Sequence, residues 1–205
     1  MSTLRLDHIA VAGRTLDAAA AHVEACLGVP LQPGGQHPRF GTHNRLLGLA
    51  DGLYLEAIAI DPEAPAPDRP RWFGLDEFDG PARLTTWICA MDRLDPRPDG
   101  LDGSGAAVAL TRGDLRWQMA VPDAGALPFD GLHPALIAWE GDHHPANRLA
   151  PSGCRLISLE IRHPEADRLQ ALLAPHLHDT RIGFAPGDPA LKATFETPSG
   201  LRVLS

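Results

Sequence analysis

Two residues in apolar surroundings carry the chemistry this chain could do. His8 lies in Leu4-Arg5-Leu6-Asp7-His8-Ile9-Ala10-Val11, and Glu56 lies in Gly52-Leu53-Tyr54-Leu55-Glu56-Ala57-Ile58-Ala59-Ile60. Both stretches are of strand length and apolar on both faces, so each reads as a strand covered on two sides. A histidine there needs a hydrogen bond, a carboxylate or a metal as partner, and a buried carboxylate is costly unless paired or metal-bound. Strand alternation puts Leu4, Leu6, His8 and Ala10 on one face, with Ile9 and Val11 on the other. Tyr54, Glu56 and Ile58 likewise share a face. If those two faces meet at one cavity, His8 and Glu56 share a metal, a water or a direct hydrogen bond. The plainer alternative is a buried pair hydrogen-bonded across neighbouring strands.

The elements that must position this pair follow from the pattern around it. After the first strand, Thr15 is an N-cap, and Leu16, Ala20, Val23 and Leu27 form a helical stripe ended by Gly28 and Pro30. Residues 29–41 are turn-rich, with room for a short edge strand. Thr42-His43-Asn44-Arg45-Leu46-Leu47-Gly48-Leu49 reads as a strand, and Ala50-Asp51-Gly52 turns into the Glu56 strand. The first unit, 1–61, is therefore βαβββ. Residues 62–82 form a proline-rich connector, anchored on the body by Trp72-Phe73. The section 83–153 is divergent and strand-rich. Its strands are Arg83–Ala90, a hairpin over 107–120, and Pro134–Trp139. The section 154–205 repeats the first: a strand at Arg155–Ile161, a helix opened by Pro164, then three short strands. Laid together, His8 falls on Ser158 and Glu56 on Leu204, an internal repeat that makes 4–61 and 155–205 superposable.

Composition narrows the partners. The 205 residues carry a formal net charge of −8, which argues against nucleic acid or an anionic membrane as partner. The N-terminal residues show no basic stretch followed by an apolar core, and no apolar run reaches the length of a membrane span. Cys26, Cys89 and Cys154 are isolated and odd in number, which fits reduced thiols in a cytoplasmic protein. A glycine-rich phosphate loop, a paired CxxC and a nucleophile elbow are all missing, so nucleotide-binding and hydrolase readings have no support.

A recurring βαβββ unit, with histidine on its first strand and glutamate on its fourth after a turn glycine, resembles the vicinal oxygen chelate superfamily. That group includes glyoxalase I, extradiol dioxygenases and the bleomycin- and fosfomycin-resistance proteins. Leu6-Asp7-His8-Ile9, Gly41-Thr42-His43-Asn44-Arg45-Leu46 and Tyr54-Leu55-Glu56 are similar to its glyoxalase-like members. The likeness covers 4–61 well, 155–205 moderately and 83–140 loosely. It implies an α+β fold in which repeated βαβββ units form curved mixed sheets around a cavity, with helices outside, all four sections making one glyoxalase-like domain. It also implies His8 and Glu56 as ligands of a divalent ion (Zn, Fe, Mn or Ni). The activity implied is that of a lyase, isomerase or dioxygenase on a small molecule with vicinal oxygens, with Glu56 as general base when freed from the metal.

The departures from that pattern leave two function classes open. Ser158, Leu204 and Thr86 hold the other expected ligand positions and cannot replace histidine or glutamate. Two ligands are few for a divalent ion. His43, on the strand beside Glu56, would complete a set of two imidazoles and one carboxylate, and a homodimer would bring two pairs together. Asn44 and Arg45 could take an anionic group of the substrate, and Trp87, Trp117 and Trp139 could line its cavity. His37 and His133 precede prolines in turns, and His143-His144 reads as a solvated loop pair. One class is thus a metal-dependent enzyme. The other is a metal-free protein that binds or sequesters a small molecule in the same cavity.

Overall fold

The computed structural model describes residues 4–205, so residues 1–3 of the first unit lie outside it. Strand β1 (Arg5–Ala12) leads into helix α1 (Leu16–Leu27), then β2 (Gln32–His37), β3 (Thr42–Leu49) and β4 (Tyr54–Ile60). The helix begins where Thr15 Oγ1 accepts from the Ala18 amide, and it ends at Gly28, whose φ of 73° is left-handed. Its Ala19, Ala20, Val23 and Leu27 are buried against the sheet. β4 pairs β1 in parallel and β3 antiparallel, and β2 pairs β3, so the lateral order is β1-β4-β3-β2.

The middle section supplies β5 (Arg83–Ala90), β6 (Ala106–Arg112), β7 (Leu115–Val121) and β8 (Ala135–Trp139). β8 pairs β5 in parallel and β7 antiparallel, and β6 pairs β7, giving β5-β8-β7-β6. This is the lateral order of the first unit. β1 and β5 run antiparallel side by side, so two like four-stranded sheets meet at their first strands. At the far rims β2 and β6 approach each other: Arg39 Nη1 donates to the Ala109 carbonyl at 3.4 Å, and Arg112 lies against Gly35. The eight strands thereby curl around a cavity. Trp72 of the connector stacks on Phe40 with ring centroids 4.2 Å apart and helps to close it.

The last section keeps the expected succession: β9 (Pro151–Arg162), α2 (Ala166–Leu173), β10 (Ile182–Ala185), β11 (Ala190–Thr197) and β12 (Gly200–Leu204). Its pairing corrects the expected superposition of 4–61 on 155–205. β9 lies between β10 and β11, and β12 pairs β11, so the order is β10-β9-β11-β12. Ser158 and Leu204 are therefore not the counterparts of His8 and Glu56, and the first unit's structural repeat is the middle section. The reason lies in residues 91–105, rich in Asp, Pro and Gly, which form a single 3-10 turn at Asp102–Ser104 in place of a helix. α2 covers the gap. Its Leu169 and Leu173 share one core with Trp87, Leu94, Leu101 and Leu136. Arg168 stacks on Phe129, and Leu172 lies over Gly100, where a Cβ would come within 2.6 Å of its Cδ1. Succession along the chain does not decide which strands pair; packing of the helix does.

A short parallel contact between β3 and β9 joins everything into one twelve-stranded sheet. One core lies on its helix side, and a second, holding Ala10, Ala12, Ile58, Ile88, Trp117 and Ile137, lies on the cavity side. Among the described residues no helix is long and apolar enough to cross a membrane, and all three cysteines are free thiols.

Candidate functional site

β1 carries an irregularity that builds the site. Leu6 pairs Cys89 and His8 pairs Ile88, so Asp7 is one extra residue opposite β5, a β-bulge. The bulge corrects the expected alternation. Leu4 and Leu6 join Ile9 and Val11 in the helix-side core, and the Asp7 and His8 side chains meet Trp139 and Glu56 at the cavity. The sequence holds a trace of it: the apolar residues at 4 and 6 change parity to 9 and 11 across the polar pair. On the other flank of β1, His8 is level with Tyr54 and Ala10 with Glu56, which turns Tyr54 and Glu56 to the same side as His8. The expected meeting of His8 and Glu56 in one cavity is what the structure has.

The side chains form a chain of contacts. His8 Nδ1 donates to Asp7 Oδ1 at 2.5 Å, and its Nε2 faces Glu56 Oε2 at 3.7 Å. That second distance is a charge contact, too long for a hydrogen bond. Asp7 Oδ2 accepts from Trp139 Nε1 and His144 Nε2, each at 3.0 Å. His144 Nδ1 accepts from the Ala146 amide, which fixes its proton on Nε2. Tyr54 stacks on the His8 ring with centroids 4.2 Å apart. Glu56 Oε1 accepts from Asn44 Nδ2, and Asn44 Oδ1 accepts in turn from the Gly35 amide at 2.7 Å. Gly34 is required there, because a Cβ would stand 2.1 Å from Asn44 Oδ1.

Burial and pairing compete at each titratable group. Burial disfavours the charge on Asp7, yet the hydrogen bonds from His144 and His8 hold its carboxyl well below the usual range. Burial also raises the Glu56 carboxyl, but His8 outweighs it and brings the group down to about 2. His8 is desolvated and still raised, because Asp7 and Glu56 flank it. Burial takes His37 down to about 4, so it is neutral. Burial, with Asp7 and Glu56 nearby, pushes the Tyr54 phenol well above its ordinary value.

The structure brings some expected residues together and separates others. Asn44, Trp117 and Trp139 line the cavity with His8 and Glu56. His43 and Arg45 do not reach it. In β3 they are level with Ala59 and Ala57, and they point to the face opposite Asn44 and Leu46. Arg45 instead pairs Asp17 at the surface. Trp87 is in the helix-side core, donating from Nε1 to the Leu132 carbonyl at 2.8 Å. Period-two alternation places it there, since it is level with Ile9. Asp7, His37, Tyr54, Arg112 and His144 belong to the site without having been singled out as site residues. His144 comes from the loop expected to be solvated, and only the tertiary fold shows that its ring reaches Asp7.

Two of the donors that a divalent ion needs stand side by side here. The bond to Asp7 keeps a proton on His8 Nδ1 and leaves Nε2 free to face Glu56 Oε2, the histidine–carboxylate arrangement that orients metal ligands. A dication would also balance the two buried carboxylates, Asp7 and Glu56. The protein donors stop at two: among the described residues no group of three or more His, Cys, Asp or Glu side chains is placed to hold one metal ion together. The wall across from them is Met119, Ile137, Trp117 and Trp139.

A family model described as "Glyoxalase-like domain" matches residues 6–177. A comparison with curated protein sequences gave no match. Among solved structures, a hypothetical protein from Staphylococcus aureus is similar over 91% of this chain and 87% of its own, with 15% identity and a TM-score of 0.62. A Mn(II)-bound glyoxalase from Novosphingobium aromaticivorans aligns over 99% and 82%, with 11% identity and a TM-score of 0.49. A methylmalonyl-CoA epimerase from Mycobacterium tuberculosis aligns over 67% and 88%, with 20% identity and a TM-score of 0.43.

Proposed function

The chain belongs to the glyoxalase-like domain family of the vicinal oxygen chelate superfamily, and we propose that it is a divalent-metal-dependent enzyme acting on a small molecule with two adjacent oxygens. The observation that carries this reading is His8 Nε2 facing Glu56 Oε2 at 3.7 Å, with His8 Nδ1 held by a buried carboxylate. His8 and Glu56 would hold the ion, and water and substrate oxygens would fill the rest of its shell. When bound, such an ion supplies Lewis-acid polarisation of the substrate oxygens.

The chain's own residues do the remaining work. Asp7 fixes the His8 tautomer and ring orientation, and Tyr54 holds the ring from its face. Asn44 occupies Glu56 Oε1, so Oε2 is the oxygen left to face the ion, and it would take a proton from substrate carbon or hydroxyl only when freed from the metal. The indoles of Trp117 and Trp139 keep bulk water away and offer an apolar surface to the substrate body.

A second reading is favoured by one observation, the absence of a third acidic, histidine or cysteine donor among the described residues. It is a metal-free protein that binds or sequesters a small molecule in the same cavity. Metal analysis of protein purified without a histidine tag, followed by melting with and without a chelator, separates the two. Stoichiometric metal and a chelator-dependent drop in melting temperature support the enzyme reading. A metal-free protein with an unchanged melting temperature, unable to take up Mn(II) or Zn(II), supports the second.

A further inference from the structure

Arg112, the last residue of β6, borders the cavity and makes no ion pair among the described residues. Its Nη1 donates to His37 Nε2 at 3.2 Å and approaches Asn44 Oδ1 at 3.5 Å. Nη2 and Nε have no hydrogen-bond partner among the described residues. Both acceptors are neutral. An imidazole that accepts through Nε2 from a guanidinium carries its proton on Nδ1, and Thr42 Oγ1 lies 3.2 Å from that atom. The other acceptor is a carboxamide. A half-buried guanidinium held only by neutral groups keeps its charge and its planar fork for a ligand.

Asn44 keeps Arg112 and Glu56 apart. Its Nδ2 donates to Glu56 Oε1, and its Oδ1 faces the Gly35 amide and Arg112. One carboxamide thus separates the guanidinium from the carboxylate and prevents them from neutralising each other. Gly35 makes room for the arginine stem, because a Cβ there would stand 2.7 Å from Arg112 Cδ. No other side chain of fixed positive charge lines the cavity among the described residues. A guanidinium fork takes a carboxylate through two parallel N–H···O bonds, and one positive charge beside the Glu56 carboxylate balances a monoanion but not a dianion.

We infer that Arg112 is an anion anchor and that the substrate of this site is a small organic carboxylate. Its carboxylate lies on the Arg112 fork, its neighbouring oxygen-bearing carbon faces His8 and Glu56, and its apolar body lies against Trp117 and Trp139. The assignment of that carbon rests on the reading of His8 and Glu56 given above; the anchoring by Arg112 stands on charge and geometry alone.

The test is equilibrium binding of mandelate and of its neutral amide, mandelamide, followed by tryptophan fluorescence with a chelator present. Mandelate is expected to saturate at about 1 mM or below and to bind about tenfold or more tighter than mandelamide. Arg112→Gln should abolish that preference, and Arg112→Lys should keep part of it. Equal binding of the two probes to the native protein overturns the inference without any variant. So does a preference that survives in Arg112→Gln, or a failure of mandelate, benzoate and acetate alike to saturate. Mn(II) binding to Glu56→Gln, measured separately, reports on the metal reading alone, so the two failures are distinguishable.

Discussion

Replacing Asp7 by asparagine removes one charge from the most connected buried group of the site and changes almost no volume. The native carboxylate accepts from His8 Nδ1 at 2.5 Å and from Trp139 and His144 at 3.0 Å each. An asparagine side chain has one oxygen. Turned toward His8, it sets an NH2 group against the indole N–H. Turned toward Trp139, it sets that group against the His8 N–H. Either way a charge-assisted bond is lost and a buried donor is left unpaired, at a cost of about 2–4 kcal/mol. Urea unfolding followed by tryptophan fluorescence measures it. The Asp7 carboxyl is depressed in the folded chain, so its contribution is complete above its ordinary value of 3.8. It is lost as pH falls through the depressed folded value. The gap between wild type and Asp7→Asn should therefore be full at neutral pH and narrow in acid. A neutral-pH difference under about 1 kcal/mol, or a gap that does not narrow in acid, would mean that Asp7 is not the charged acceptor of these three bonds.

Other consequences follow from the same geometry. Gly34→Ala should cost about 1–3 kcal/mol in denaturant melts, because its Cβ would collide with the Asn44 side chain and carbonyl; an unchanged melt contradicts that placement. Trp87→Phe should lower stability by about 1–3 kcal/mol through the lost bond to Leu132 and a smaller buried ring. Mandelate binding should not change in that variant, whereas Trp139→Phe, which takes a donor from Asp7, should alter both stability and binding.

Much of the first unit was legible in the sequence. The Thr15 cap, the Gly28 stop and the turn before Tyr54 are local signals, and each is where the spacing predicts. His8 and Glu56 were legible as a pair because each is polar in an apolar strand. The pairing of the last section was not, since βαβββ succession is compatible with more than one strand order, and α2 serves the middle section instead of its own. His43, Arg45 and Trp87 show the limit of residue type as a guide: each has suitable chemistry, but the pleat turns it away from the cavity. Asp7 and Arg112 show the reverse. A bulge re-aims the first, and the second reaches the site only because β6 curls back to β2.

His8 and Glu56 are proposed to hold a divalent ion together. Titration of Mn(II), read by the loss of the free-ion electron paramagnetic resonance signal, tests it on wild type, His8→Gln, Glu56→Gln and His43→Ala. One ion per chain should bind to wild type and to His43→Ala, and binding should vanish in the other two. Wild-type binding retained by Glu56→Gln, or lost in His43→Ala, would contradict it.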